Sequence, residues 1–359
     1  MTVTEISCQN FRNLETCTLA PSEGVNIIYG ENAQGKTNLL EGIWLFSGMK
    51  SFRGAKDAEL IRFGCEYGRL KMAFTAHGRD QKAEITVAAK RRAKLNGVEL
   101  PSCAGLIGKC RAVVFSPSFL SIVKNGPEER RRFIDAAVCQ LKPAYANLLA
   151  EYNRLLKQRN SLLKDIPIEP ALLDMLEVID ERLTAAGERL AQERKSYIEA
   201  LLPSVGRIYD GFSGGSEEMT VVYVEKEAEK GSLAERLKAN RKQDIINKTT
   251  SVGPHRDDLG VFSNSIDIRR FGSQGQQRSA ALSLKLSEIE MIESVKGEKP
   301  ILLLDDVLSE LDTKRQDALL NKIGGIQTMI TCTGLDEYVR KRFKIDKLFR
   351  VENGEIFYE

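Results

Sequence analysis

The chain has 359 residues, of which 42% are hydrophobic and 29% charged, and its formal net charge is +3. This balance is typical of a globular protein with a sizeable core and excludes a disordered chain. No apolar run approaches the roughly 18 residues that a membrane span needs, and the first residues lack the basic and apolar regions of a signal peptide. We therefore expect a cytoplasmic protein with no membrane partner.

The net charge and the numbers of cysteines and histidines limit the kinds of binding site that the chain could contain. A net charge this close to zero does not predict nucleic-acid binding, so any DNA site must come from local basic clusters. Seven cysteines without a Cys-x-x-Cys pair, and only two histidines, favour buried reduced thiols over a disulfide framework or a zinc site.

The N-terminal third predicts short strands around one helix. Val25–Tyr29 is an apolar run followed at once by glycine, and a helical pattern of apolar residues starts at Thr37. Between Gly68 and Leu100 the chain alternates as antiparallel strands do, with Asn96-Gly97 as a hairpin turn.

The middle of the chain predicts helices. Residues 127–202 hold few glycines, and leucines recur at helical spacing in two runs separated by Pro167 and Pro170. We expect an antiparallel helical pair, for which simple packing in a bundle is a sufficient explanation.

The last third alternates strand and helix. Residues 300–304 and 327–332 are apolar runs typical of buried strands, and residues 351–358 predict a closing hairpin that turns at Asn353-Gly354. Strand-rich ends around a helical middle indicate an α/β protein.

Residues 30–37 match the phosphate-binding pattern G-x-x-x-x-G-K-[ST], between an apolar strand and an amphipathic helix. Glycines let the backbone amides turn towards phosphates, Lys36 would reach the β- and γ-phosphates of ATP, and the Thr37 hydroxyl would bind Mg²⁺. A chance match is expected in on the order of one chain in a hundred, before the flanking elements are required. The predicted ATP contacts are Gly30, Glu31, Asn32, Ala33, Gln34, Gly35, Lys36, Thr37 and Asn38.

An acidic segment and a second glycine-containing segment extend the prediction of an ATP site. The apolar run 301–304 ends in Asp305 and Asp306, where a buried parallel strand would place a Mg²⁺ ligand (Asp305) and a group that polarises the attacking water (Asp306). Ser273, Gly275 and Gln276 precede a helix and form a second anion site. The alternatives are an acidic turn and an ordinary helix cap.

In this order the motifs resemble the SMC, Rad50 and RecF group of ABC-type ATPases: P-loop, helical insertion, Ser-x-Gly-Gln signature, and an Asp-Asp strand followed by the Ser309–Asp312 D-loop. Further stretches are similar to the RecF family of that group and span nearly the whole chain. They are residues 10–13, 30–38, 114–117, 126–135, 156–160, 253–258 and 304–312.

The resemblance implies an ABC-type ATPase head, with lobe I in residues 1–115 and 299–359 and a mainly helical lobe II in residues 116–298. Two ATP-bound copies are expected to join head to tail, so that Ser273, Gly275 and Gln276 contact the ATP held by the partner copy. Arg12 and Asn13 are expected to contact the nucleotide from the N-terminal loop.

The resemblance also implies a function in recombinational DNA repair and replication. Such a homodimer would clamp gapped or junction DNA and, with RecO and RecR, help to load RecA. ATP hydrolysis would be weak, DNA-stimulated and used as a switch.

Three departures from the wider ABC pattern predict slow hydrolysis. Thr331-Cys332-Thr333 stands where many ABC ATPases carry a switch histidine, no glutamine lies near Phe115–Ser118, and Asp306 replaces a glutamate.

Basic clusters occur at residues 90–94, 130–132 and 269–270. Lys and Arg neutralise DNA phosphates, but Glu128 and Glu129 are placed to pair with the second cluster along a helix. These clusters therefore do not identify DNA contacts.

Three other classes of P-loop protein fit less well. A transporter subunit would carry a Leu-Ser-Gly-Gly-Gln signature and a switch histidine. A long-armed SMC or Rad50 protein needs a longer helical arm, at about 1.5 Å per residue, than this insertion allows. A small-molecule kinase leaves the signature loop unexplained.

Overall fold

The computed structural model describes residues 1–334 and 344–359, which form fifteen strands and nine helices within those ranges. The strands are β1 (Thr2–Phe11), β2 (Leu14–Leu19), β3 (Val25–Tyr29), β4 (Gly68–Ala76), β5 (Arg79–Val87), β6 (Arg92–Leu95), β7 (Val98–Glu99), β8 (Ala112–Phe115), β9 (Met219–Val224), β10 (Asp258–Ser263), β11 (Ile266–Asp267), β12 (Ile301–Asp305), β13 (Thr328–Cys332), β14 (Ile345–Glu352) and β15 (Glu355–Tyr358). The helices are α1 (Lys36–Leu45), α2 (Pro117–Leu120), α3 (Pro127–Leu141), α4 (Pro143–Asp165), α5 (Leu172–Ser213), α6 (Leu233–Asn247), α7 (Ile268–Phe271), α8 (Gln274–Lys296) and α9 (Thr313–Lys322). In the described ranges, no helix combines the length and apolar character that crossing a bilayer requires.

The chain divides into two compact units. Unit 1 comprises Met1–Ser121, Arg207–Ser216 and Arg278–Glu359, and unit 2 comprises Ile122–Gly206 and Glu217–Gln277. These boundaries differ from those of the expected lobes, because most of α8 belongs to unit 1. Its residues 279–289 are buried on all sides, which a helix packed inside a core requires.

The strands of unit 1 form two six-stranded sheets. The first has the order β15-β14-β3-β13-β12-β8, and all neighbouring strands are parallel except the β14–β15 hairpin. Parallel strands are buried on both faces, as the fully apolar run Ile301–Leu304 anticipates. The carboxyl ends of β3, β13 and β12 consequently meet at one edge of this sheet.

The second sheet is antiparallel, with the order β2-β1-β4-β5-β6-β7. Strands β6 and β7 join through Asn96-Gly97, with Leu95 paired to Val98, which confirms the predicted hairpin turn. Side chains of this sheet share one core with α1 and with residues of the parallel sheet, including Leu40, Ile43 and Leu303. Helix α1 is thus fixed by apolar packing, and with it the loop that precedes it.

Unit 2 is built on the predicted antiparallel pair of helices, α4 and α5. Lys142 at the start of α4 contacts Glu193 at 2.6 Å, whereas Arg159 near its end contacts Asp180 at 2.6 Å. Helix α5 continues beyond the predicted limit of residue 202, through Pro203 to Ser213. Apolar side chains keep helical spacing after the proline and are buried, which sustains the helix there; they are Val205, Ile208, Tyr209 and Phe212.

Residues 253–258 lie inside unit 2 and are held by buried polar contacts. The Arg194 guanidinium donates to the Pro254 carbonyl at 2.7 Å, and the Tyr152 hydroxyl lies 2.7 Å from Nδ1 of His255. Nε2 of His255 lies 3.1 Å from the Thr250 carbonyl, which can only accept, so Nδ1 is the acceptor for Tyr152. Burial lowers the pKa of His255 to about 4, against an ordinary value near 6.5.

This buried histidine predicts a loss of stability in acid. Above about pH 6.5 the ring is neutral in both the folded and the unfolded chain, so its contribution is complete. Below that pH the unfolded chain binds a proton first, and the free energy of unfolding falls by about 2 kcal/mol between pH 7.5 and 5. Urea unfolding of the wild type and of His255→Gln measures this, since the glutamine variant should show a shallower pH dependence.

The other histidine provides a matched control. His77→Gln removes a half-exposed imidazole near Glu298 instead of a buried one, so comparing the two glutamine variants shows how much of the slope belongs to His255. Equal slopes for the wild type and His255→Gln would contradict the assignment.

Candidate nucleotide-binding site

The loop at residues 30–35 connects the central strand β3 to α1 and is fixed by two close approaches. A Cβ atom at Gly30 would lie 2.2 Å from the carbonyl oxygen of Val351 on β14. At Gly35, which has a φ of +115°, a Cβ atom would lie 2.8 Å from Oδ1 of Asn13. Only glycine fits both positions, because any side chain would push the loop off the sheet edge.

Lys36 is the first residue of α1, and its side chain folds back over the loop. Its ammonium group donates to the carbonyls of Gly30 and Glu31, at 2.6 Å each. The residue is buried, with 7% of its surface exposed. Burial lowers the pKa of Lys36, and the nearby carboxylates of Asp306 and Asp305 oppose that shift. The loop therefore presents a concentrated positive charge beside the helix N-terminus, an arrangement that suits phosphate.

Thr37 and Asp305 come together although 268 positions separate them in the chain. The Thr37 hydroxyl donates to Oδ1 of Asp305 at 2.6 Å. Strand β13 lies between β3, which precedes the phosphate loop, and β12, which ends at Asp305. It contributes Thr331, whose hydroxyl is 3.0 Å from the same carboxylate oxygen. The two predicted metal ligands are therefore adjacent.

Asp306 follows at the end of β12 with a φ of +50°, a left-handed conformation that a non-glycine residue rarely adopts. Its backbone N–H donates to the Thr331 hydroxyl at 3.0 Å. Partial burial and the negative charge of Asp305 raise the pKa of Asp306, while Lys36 lowers it. An acid held in this way is poised to accept a proton more readily than an exposed aspartate.

Asn13 connects the N-terminal loop to the phosphate loop. Its side-chain amide donates to the Ala33 carbonyl at 3.0 Å, and its Oδ1 accepts from Asn38 at 2.7 Å. The backbone N–H of Asn353 donates to the side chain of Gln34. The closing hairpin and the N-terminal loop therefore both buttress the phosphate loop.

Arg12 lies next to Asn13 but faces a different partner. Its guanidinium binds the fully buried carboxylate of Glu41 on α1 at 2.9 and 3.0 Å and donates to the Glu59 carbonyl at 2.9 Å. The Ser51 hydroxyl also donates to Glu41. These contacts give Arg12 a structural partner, and its expected contact with a nucleotide stays a prediction.

Ser273 and Gln276 lie in unit 2, at the start of α8. The Ser273 N–H donates to the Gln276 side chain at 2.8 Å, and the Gln276 N–H donates back to the Ser273 hydroxyl at 3.2 Å. This reciprocal cap fixes the helix N-terminus, with Ser273 exposed and Gly275 in the first turn. The Gln276 amide also donates to Glu217 at 3.0 Å. The predicted signature is thus a preformed helix N-terminus.

Arginines of two of the basic clusters make structural contacts. Arg130 is buried and binds Asp258 at 2.6 Å, and Arg269 binds the same carboxylate at 2.6 Å. Arg132 pairs with Glu128 and Glu129 on its own helix, as their spacing anticipates. Arg130 and Arg269 therefore connect separate elements of unit 2, and none of these contacts identifies a DNA site.

Two contributors to the site lay outside the predicted set. The close contact of Val351 with Gly30 has no local signal, because the hairpin is more than 300 residues away. Thr331 had a weak signal, since it occupies the end of a predicted buried strand next to the acidic one.

Comparison with known proteins gives a consistent result. Residues 2–356 match the family described as the RecF/RecN/SMC N terminal domain. The chain is 45% identical to the DNA replication and repair protein RecF of Lachnoclostridium phytofermentans, with 99% of each chain covered. It is similar to a solved structure of the recombination mediator protein RecF with ATP in the RecFOR pathway, at 39% identity, a TM-score of 0.91, and 100% and 97% coverage. An Smc head domain bound to the C-terminal winged-helix domain of ScpA shares the fold at 13% identity, with a TM-score of 0.58 and 100% and 97% coverage.

The Arg12–Glu41 pair predicts a large stability effect. Arg12→Met leaves the buried Glu41 carboxylate with only the more distant guanidinium of Arg53, at 4.0 Å, and should lower the free energy of unfolding by about 3 kcal/mol. The double variant Arg12→Met with Glu41→Met should recover much of that loss, because no charge is then buried alone. Urea unfolding of the single and double variants measures both effects.

Arg62→Met is the control, since Arg62 forms a surface pair with Glu15 and its loss should leave the unfolding midpoint unchanged. If Arg12→Met kept the wild-type midpoint but bound ATP more weakly, Arg12 would serve the nucleotide and the predicted stability role would be wrong.

Proposed function

The chain belongs to the RecF family, and we propose that it works as an ATP-dependent DNA clamp whose two copies are joined by the ATP they bind. Membership gives it the role of an ATP-binding recombination mediator in DNA repair and replication. The clamp, its DNA and its partners are the further steps proposed below.

One observation carries the proposal: the Thr37 hydroxyl meets the Asp305 carboxylate at 2.6 Å beside the Lys36 ammonium group. Phosphate binding needs the lysine and the loop amides, and Mg²⁺ favours hard oxygen ligands. The hydroxyl and the carboxylate fit that preference. Since Mg²⁺ also needs several waters or phosphate oxygens, these two protein ligands suffice when ATP supplies the rest.

The residues of the site then divide the work of ATP hydrolysis. Lys36 and the loop amides would orient the β- and γ-phosphates, while Thr37 and Asp305 would hold Mg²⁺, which would supply charge neutralisation on those phosphates. Asp306 accepts hydrogen bonds from the attacking water and orients it. With an aspartate in this position and no switch histidine in residues 331–333, hydrolysis is slow and times release.

Ser273, Gly275 and Gln276 complete the site of the partner copy. They stand at a fixed, exposed helix N-terminus, and the positive end of the helix dipole there would attract a γ-phosphate. ATP then acts as the shared ligand of two surfaces. A nucleotide that binds the pair better than the single copy favours the pair by mass action.

The paired copies would close on DNA at single-strand gaps or junctions, in the cytoplasm. With RecO and RecR they would help to load RecA. Family membership supports this assignment, and the solved relative is named as part of the RecFOR pathway.

The clamp predicts an ATP-dependent dimer that needs the Ser273 helix cap. Light scattering should give a dimer mass for the wild type with ATP and gapped DNA, and a monomer mass for Ser273→Arg, although that variant still binds ATP. An arginine there blocks the helix N-terminus with bulk and positive charge. Lys36→Arg should lose both ATP binding and the dimer.

Ser232→Arg is the matched control, because Ser232 caps α6 through the same reciprocal contact with Glu235. It should still form the dimer. If the wild type stays monomeric with ATP and DNA, the clamp proposal is wrong, and the protein is a P-loop ATPase with another function.

The two aspartates should differ in their effects. Asp306→Asn should retain ATP and Mg²⁺ binding but lower turnover by at least about tenfold, since it removes the water-orienting carboxylate. Asp305→Asn should instead raise the Mg²⁺ concentration needed for activity, and chelation of Mg²⁺ should abolish hydrolysis in every variant. Phosphate release measured across a Mg²⁺ titration separates the cases, and identical titrations for both variants would contradict the assigned roles.

A further inference from the structure

The end of strand β13 places one buried hydroxyl between the two acidic residues of the site. Thr331 is 1% exposed, and its Oγ1 atom accepts the backbone N–H of Asp306 at 3.0 Å. The same atom lies 3.0 Å from Oδ1 of Asp305, to which it donates its single proton. Its second acceptor, the Leu304 carbonyl, is more distant at 3.4 Å.

We propose that Thr331 is a positioning residue for ATP hydrolysis, which sets the orientation of the Asp305 carboxylate and the backbone of Asp306 together. The proposal rests on the function given above. Thr331 acts through the two aspartates and has no contact with the reacting atoms.

The first half of the argument concerns Asp305. Its Oδ1 atom accepts two hydroxyl protons, from Thr37 at 2.6 Å and from Thr331 at 3.0 Å. Two donors on one oxygen fix the plane of the carboxylate. The Thr37 hydroxyl can donate to Asp305 and would also offer an oxygen lone pair to Mg²⁺, so its position would depend on the metal. The Thr331 hydroxyl comes from the buried strand instead, and we expect it to keep the carboxylate aligned whether or not the metal is bound.

The second half concerns Asp306. Its φ of +50° lies in the left-handed region, which is unfavourable for a residue with a side chain. Such a conformation persists only where the surroundings hold it, and the hydrogen bond from the Asp306 N–H to Thr331 contributes to that constraint. Without the hydroxyl, the peptide loses its acceptor and can relax towards a common conformation. The Asp306 carboxylate would then move away from the attacking water.

Neighbouring residues support a role specific to the carboxyl edge. Thr328, three positions earlier on the same strand, is also fully buried, but its hydroxyl donates at 3.0 Å to the Ile326 carbonyl. The two threonines lie three positions apart on one strand and therefore on opposite faces of the sheet, and of the two only Thr331 reaches the aspartates. The strand thus contains its own comparison.

The test is steady-state ATP hydrolysis by Thr331→Val, Thr331→Ser and Thr328→Val in the full chain, with ATP binding and the Mg²⁺ requirement measured separately. Thr331→Val keeps the shape of threonine without the hydroxyl, so kcat should fall about tenfold to a hundredfold while ATP affinity stays within about twofold. The Mg²⁺ concentration for half-maximal rate should rise. Thr331→Ser should restore most of the rate, and Thr328→Val should hydrolyse ATP as the wild type does.

The controls separate the possible failures. If Thr331→Val unfolds, Thr331→Ala removes the same hydroxyl with a smaller side chain. Comparing the thermal unfolding midpoints of Thr331→Ala and Thr328→Val then shows how much of the effect is due to packing. If Thr331→Val and Thr328→Val had the same turnover, the inference would be overturned while the proposed function stood. The same would follow if Thr331→Ser were as impaired as Thr331→Val. If the wild type binds ATP without hydrolysing it, the proposed ATPase cycle fails and the inference fails with it.

Discussion

The alignment of three parallel strands is the constraint on which the site depends. Ile28 on β3 pairs with Thr331 on β13, and Thr331 pairs with Asp305 on β12. These three paired residues lie at the sheet edge where the phosphate loop begins. Segments from the beginning and the end of the chain therefore meet at that edge. A slip of one residue in either pairing would turn Thr331 or Asp305 to the opposite face of the sheet. The apolar run Ile301–Leu304 would stay buried after such a slip, so we infer that contacts at the strand ends hold the register, where Thr37 and Thr331 both donate to Asp305.

Burial also supplies the electrostatics of this edge. Helix α1 is packed between two sheets, so Lys36 enters the loop from a region with little water. Charges in such a place interact more strongly than charges at the surface. The pKa shifts of Lys36 and Asp306 have this common cause, with burial as the largest contribution to each. The same packing that holds the loop therefore shifts the pKa values of both groups.

Much of this arrangement could be predicted from the sequence, because its signals are local. The phosphate loop combines a strand, two glycines and a helix within a few residues, and Asn96-Gly97 and Asn353-Gly354 mark turns by their own preferences. Asp305 was found because an apolar strand ends there.

Other features depend on contacts between distant segments and were beyond the sequence. The pairing of Arg12 with Glu41 requires α1 and the N-terminal loop to be placed in three dimensions. The unit boundary within α8 follows from which residues the helix buries and not from a change of composition. Pro203 indicates a helix end by local rules, yet buried apolar residues beyond it sustain α5 to Ser213. Periodicity gives the element, and packing decides its length.

The proposed switch depends on two anion sites that belong to different units of the chain. The phosphate loop belongs to unit 1 and the Ser273 cap to unit 2, and each is held by contacts within its own unit. In the proposed clamp, ATP would join two surfaces that are each held by contacts of their own, so its binding energy would go into the contact between copies. The lifetime of the joined state would then be set by the chemistry at Asp306, and slow hydrolysis would lengthen the time on DNA.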